Sequence, residues 1–203
     1  MAFIYIILHI IILLYSIILH EVAHAYAAER CGDFTPREMG RLTLNPLPHI
    51  DLFGTIILPL FLLLIRAPVL IGWAKPVPIN PYNFRNFRRD LMIVGAAGPL
   101  TNIALALFFA LLYHTIGYGY FLRNIFAYGT ALNFLLAFFN LIPIPPLDGS
   151  RILQNFLPIE AREHYMMMER FGFLIIYFIL LLGGFRLLWA LTGIILRALH
   201  IYF

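Results

Sequence analysis

Residues 17–24 read Ile17-Ile18-Leu19-His20-Glu21-Val22-Ala23-His24, a His-Glu-x-x-His pattern set inside a long apolar run. On a helix, His20 and His24 share one face, so two imidazoles can grip one metal ion. Glu21 stands about 100° around from His20, within reach of a water on that metal. The flanks decide the setting. The apolar run extends from about Phe3 to Glu29 and stops near Gly32. At ~1.5 Å per residue, His20 lies roughly 25 Å along it, against a hydrocarbon core about 30 Å thick. Both histidines are therefore expected inside the bilayer, toward the C-terminal end of the first helix. His9 lies on about the same face and reads as a packing or interhelical hydrogen-bond partner.

Composition points the same way. Of 203 residues, 62% are hydrophobic and only 12% are charged; mean hydropathy is +0.88. Soluble domains carry about 25% charged residues. The expected fold class is an all-α polytopic membrane protein, a helical bundle of about 4–6 membrane segments. One transmembrane domain is expected over 1–203, with its core in 3–151 and C-terminal helices in 165–203. The net charge of +4 reports topology here and not nucleic-acid binding. A single cysteine, Cys31, excludes an internal disulfide and a Cys-based zinc site. No basic stretch precedes the first apolar run and no small-residue cleavage site follows it. A retained helix is expected there, not a signal peptide.

Beyond the first helix, Arg41-Leu42-Thr43-Leu44 alternates like a short strand and Asn45-Pro46 stops it. Asp51 is placed to cap a helix over Leu52–Ile65. At about 14 residues, hence about 21 Å, that helix is too short to cross. Prolines keep Gly72–Ile79 extended. The 41–44 and 75–79 stretches are expected to pair as a small β-hairpin, whose edge would accept an unwound substrate. Later apolar segments cover about 91–113, with Gly98-Pro99 and Asn102 inside, and about 121–141. A fifth begins near Phe171 and is interrupted at Gly183-Gly184. Residues 187–203 suit either a crossing helix or one lying in the interface.

A catalytic zinc takes three protein ligands and a water. Asp148 follows the proline-rich break Pro143-Ile144-Pro145-Pro146-Leu147 at the end of an apolar segment. An ionisable group near membrane depth is a functional hypothesis by default. Asp148-Gly149 reads equally well as a turn.

His20-Glu21-Val22-Ala23-His24, Gly98-Pro99-x-x-Asn102 and Asn140-x-x-Pro143-x-x-x-x-Asp148-Gly149 together resemble the site-2 protease family of intramembrane zinc metalloproteases. Gly40–Pro46 and Gly72–Pro78 resemble stretches of its small prokaryotic members, and the likeness spans roughly residues 16–151. The chain lacks the PDZ and CBS domains of larger members. The resemblance implies a zinc metalloendopeptidase that hydrolyses peptide bonds within or near transmembrane segments. It implies one Zn2+ per chain held by His20, His24 and Asp148, with Glu21 as general base. It sets Asn102 and Asn140 beside the substrate. Asn102 would donate to the developing oxyanion, or else join two helices through its amide. Asn140 would hold substrate or tie down carbonyls freed at the break. The implied partners are a transmembrane protein substrate and the lipid bilayer, without nucleic acid; oligomeric state stays open. The alternative is a catalytically inactive metal-binding scaffold or transporter. A transporter wants polar groups along a whole path, and a scaffold has no need of Glu21.

For Asp148 to meet His20 and His24, the first and fourth segments must run the same way, so 52–65 must dip in and 66–73 must bring the chain back. Most of the basic loop residues then share one side, which marks it as cytoplasmic. This places the protein in the cell membrane as a multi-pass protein, N-terminus outside and active site nearer the cytoplasm.

Overall fold

The computed structural model describes residues 2–66 and 72–202. In chain order the helices are α1 (Ala2–Arg30), α2 (Thr35–Glu38), α3 (Leu58–Leu64), α4 (Phe87–Thr115), α5 (Gly119–Asn140), α6 (Asp148–Leu153), α7 (Ile159–Met167), α8 (Glu169–Ile179) and α9 (Phe185–Ala198). A wider turn over Leu52–Ile57 leads into α3, and another over Leu180–Gly184 joins α8 to α9 across a kink at Gly183, whose φ is +106°. Among the described residues, four helices are long and apolar enough to cross a membrane: Phe3–Arg30, Phe87–Thr115, Gly119–Asn140 and Glu169–Ala198. The expected class, a multi-pass helical membrane protein, is the one observed. A helix satisfies its own backbone polar groups, which lipid cannot do.

Local chemistry sets the ends. The Asn86 side chain accepts from Arg89 N–H at 3.1 Å and starts α4. Asp51 accepts from Gly54 N–H at 2.6 Å, the cap its position predicts. Helix α4 lies at the centre and packs on α1, α5 and α6. Its seam with α5 includes small buried residues, with Ala110, Ala127 and Ala131 in one packed cluster, which let helices approach closely in lipid.

Contact order gives the direction of each helix. Tyr5 meets Phe121, His9 stacks on Tyr128 at 3.8 Å, Ser16 bonds Asn133, and His20 meets Asp148. Both series ascend, so α1 and α5 run parallel. Against α4 the order reverses: His20 meets Asn102 and His24 meets Val94. Helix α4 thus starts at the end of the bundle where α1 stops, and the connection between them leaves and returns on one face. Residue contacts agree, because Lys75 N–H donates to His49 O at 2.9 Å and Trp73 N–H to Gly54 O at 3.1 Å. The chain beyond α3 is back beside the start of its helix by Trp73. Of the expected return stretch, residues 67–71 lie outside the described set. The C-terminal helices run to the far end. His114 meets Leu199 O at 2.9 Å, and Tyr113 bonds Tyr202. Residues 185–202 therefore go with α8 through the bundle.

The expected β-hairpin over 41–44 and 75–79 is not formed, and no strand occurs among the described residues. The reason lies in where the polar groups go. Pro76 and Pro78 have no N–H to offer a ladder. Lys75 N–H goes to His49 O, and Val77 N–H goes to Glu21. On the other stretch, Thr43 O bonds the His49 ring and Arg41 bonds Pro48 O. A cleft of about 620 Å³, lined in part by Arg41, Pro48, Lys75 and Pro78, occupies the place where the two would have paired.

Candidate metal centre

Three side chains, two of them 128 and 124 positions from the third, converge in the bundle. His20 Nε2 lies 3.0 Å from His24 Nε2, and Asp148 Oδ2 lies 3.1 Å from each. All three residues are buried. Helical spacing on α1 aims the two imidazoles together. The proline-rich break after α5 turns the chain so that Asp148 opens α6, and α6 packs on α4.

The outer faces of the rings decide what the inner faces can do. His24 Nδ1 donates to Val94 O at 2.7 Å, and a backbone carbonyl can only accept. His20 Nδ1 sits 2.6 Å from Asn102 Oδ1. With both protons on Nδ1, the two Nε2 lone pairs and the carboxylate oxygen all point at one another. Such a set repels itself unless a cation sits among it. The spacing suits zinc: three ligands at ~2.0–2.1 Å in tetrahedral array lie about 3.3 Å apart. The donor types, two imidazoles and one carboxylate, are those of catalytic zinc sites with an open fourth position.

Gly98 makes room for this cluster. A β-carbon built there would fall within 2.5 Å of the His20 ring and closer still to His24 Nε2. Gly95, one turn earlier, faces the backbone of Asp148 and the side chain of Arg151, so α6 approaches α4 over Gly95 while α1 approaches it over Gly98.

Glu21, adjacent to His20, accepts from Val77 N–H through Oε2 at 3.0 Å. The extended 72–80 segment thereby lies beside the candidate base. Asn102 is placed behind His20. Its side chain is fully buried and its amide is occupied at both ends, by His20 at Oδ1 and by Asn133 and Ser16 O at Nδ2. That geometry suits the orientation of a ring better than donation to an oxyanion. Asn140 Nδ2 donates to Leu136 O at 3.0 Å, on its own helix.

Sequence reasoning missed Ser16 and Asn133. Ser16 lies one turn before His20 on the same helical face, which is the signal that could have found it. Asn133 carries no motif spacing; it joins the centre because α1 and α5 run parallel.

A family model described as "Peptidase family M50" matches residues 114–183. A protein of Bacillus subtilis (strain 168) named "Putative zinc metalloprotease YwhC" is 38% identical over 195 residues, covering 91% of this chain and 85% of that protein. Rip2 of Mycolicibacterium smegmatis (strain ATCC 700084 / mc(2)155), which carries the same description, is 33% identical over 172 residues, covering 83% of this chain and 64% of that protein. No solved structure matches the chain.

Proposed function

The chain belongs to peptidase family M50, the site-2 type of membrane metalloprotease, and on that premise we propose that it cuts transmembrane proteins at a zinc centre within the bilayer. His20, His24 and Asp148 would hold one ion. Bound there, zinc supplies a Lewis acid for the scissile carbonyl and lowers the pKa of water. Glu21 takes the proton of the attacking water and hands it to the leaving amine. The Val77 N–H keeps its carboxylate aimed. Asn102 holds the His20 ring in orientation from behind.

A transmembrane substrate must unwind before cleavage, because its amides are locked in helical hydrogen bonds. The cleft between the Arg41–Pro48 and Lys75–Pro78 stretches supplies room for an extended segment, and Val77, between its lining residues Pro76 and Pro78, is the residue that holds Glu21. Asn140 presents its Oδ1 to substrate while its Nδ2 is held by Leu136. Residues 1–203 act as one membrane domain. The basic residues of the 30–41, 75–89 and 151–170 stretches lie at the end of the bundle that holds the metal centre. That end is the cytoplasmic one by charge bias, with the N-terminus outside in the cell membrane.

The observation that carries this reading is the convergence of three lone-pair donors beside a carboxylate fixed by a backbone amide. Glu21→Gln tests it in the purified full chain, reconstituted with a library of single-span transmembrane peptides. Cleavage should fall on the order of 10²–10⁴-fold, with zinc content retained. Persistent cleavage overturns the mechanism. Zinc binding without cleavage by the unsubstituted chain favours a metal-binding scaffold.

A further inference from the structure

Between α1, α4 and α5 runs a polar chain whose direction is fixed from one end. Asn133, fully buried on α5, donates through Nδ2 to Gly129 O at 2.9 Å and to Ser16 Oγ at 2.9 Å. A carbonyl oxygen only accepts, so the Asn133 amide has one allowed orientation. Its Oδ1 then faces Asn102 at 3.0 Å and must receive an N–H. Asn102 is thereby turned with Nδ2 toward α5, where it also reaches Ser16 O at 3.4 Å. Its Oδ1 faces His20 Nδ1 at 2.6 Å and must receive a proton in turn. The His20 proton stays on Nδ1, and its Nε2 lone pair faces His24 and Asp148.

The opposite setting is costly. A flipped Asn102 would set oxygen against oxygen at Asn133 and offer N–H to His20 Nδ1. The proton of His20 would move to Nε2, where a metal cannot bind. His24 needs no such chain, because Val94 O meets its Nδ1 directly. On α4, the residue one turn from Gly98 toward His20 is Asn102, a side chain that can face either way, so its polarity has to be supplied from elsewhere.

We propose that Asn133 is a positioning residue for the metal centre, acting through Asn102 to hold His20 in its metal-binding tautomer. This rests on His20, His24 and Asp148 being the metal ligands. Ser16 completes the arrangement as the second acceptor for Asn133 and, through its carbonyl, a second acceptor for Asn102. Partners behind a ligating histidine fix the ring's tautomer and orientation, and their loss costs about 10–100-fold in metal affinity or activity.

The test measures Zn2+ affinity of the purified full chain by competition with a chromophoric chelator, with the Co2+ absorption spectrum as a second readout of coordination. Asn133→Leu removes the acceptor facing Asn102 and should weaken zinc by about 10–100-fold. Asn133→Asp keeps an oxygen toward Asn102 and should restore affinity. Asn102→Asp in the Asn133→Leu background should also restore it, because a carboxylate accepts from His20 Nδ1–H whichever way it turns. A purely structural role for Asn133 predicts no rescue by a change at Asn102. Unchanged affinity in folded Asn133→Leu, or no rescue by Asn102→Asp, overturns the proposal. If Asn133→Leu does not fold, weakened zinc binding by folded Asn133→Asp overturns it instead. Absence of zinc binding by the unsubstituted chain overturns the ligand assignment itself and this proposal with it.

Discussion

The carboxylate of Glu21 accepts a hydrogen bond from the backbone N–H of Val77, 3.0 Å away and 56 positions along the chain. Val77 is buried, and its neighbours Pro76 and Pro78 have no N–H, so it is the donor of that triplet. Hydrogen bonds to a charged group contribute about 1.5–3 kcal/mol. Val77→Pro removes the donor while keeping an extended backbone. Cleavage should fall by about tenfold or more, as 1.4 kcal/mol per decade implies, with zinc content intact. Unchanged kinetics would show that Glu21 is aimed by something else.

Gly98→Ala drives a methyl group against the His20 and His24 rings. The neighbouring rings are held from behind by Asn102 and Val94, so they have little freedom to give way. Zinc affinity should drop by at least about tenfold, the scale of losing a ligand's orientation. Chelator competition reads it directly. Wild-type affinity would mean that the rings retreat without losing the ion.

Asp33 anchors the far end of the 72–80 segment. Its buried carboxylate accepts from Thr35 Oγ1 at 2.6 Å, Asn80 N–H at 2.7 Å, Asn83 Nδ2 at 2.9 Å and Thr35 N–H at 3.1 Å. Burial pushes its pKa up, but these hydrogen bonds outweigh burial and hold it below the ordinary value. A carboxyl group depressed on folding stabilises fully above its unfolded pKa, about 3.9 for Asp, and that stabilisation is lost as pH falls through the folded value. Thermal stability should therefore decline on acidification below about pH 4. Asp33→Asn should be less stable at neutral pH by about 1–3 kcal/mol and should lack that acid-dependent loss. Parallel pH profiles for the two chains would refute the anchor.

Pro48→Cys and Asn80→Cys should label from the same side of sealed vesicles, with Cys31 buried and silent. The Lys75–His49 and Trp73–Gly54 hydrogen bonds bring both positions to one end of the bundle. Labelling from opposite sides would mean that the 52–64 region crosses fully.

What could be read from the sequence was whatever depends on spacing along one helix. The His20–His24 pair, the membrane class and the Asp51 cap all follow from local periodicity or a single side chain. Asp148 needed a resemblance, since its spacing alone suited a turn equally. The hairpin failed because four alternating residues carry little pairing information, and Pro76 and Pro78 withhold the amides a ladder needs. Ser16 and Asn133 were silent because their meeting depends on the parallel course of α1 and α5, a tertiary fact. Asn102 was read either as a donor to the oxyanion or as an amide joining two helices, and its amide lies between His20 and Asn133.

Asp148 enters the centre only through the break after α5. During synthesis, the first helix emerges with both histidines and Glu21 long before position 148 is made. Until α4 and α5 are inserted and α6 docks over Gly95, the growing chain holds a two-histidine half-site without its carboxylate. The three-residue cluster is thus a property of the assembled bundle and not of its first helix.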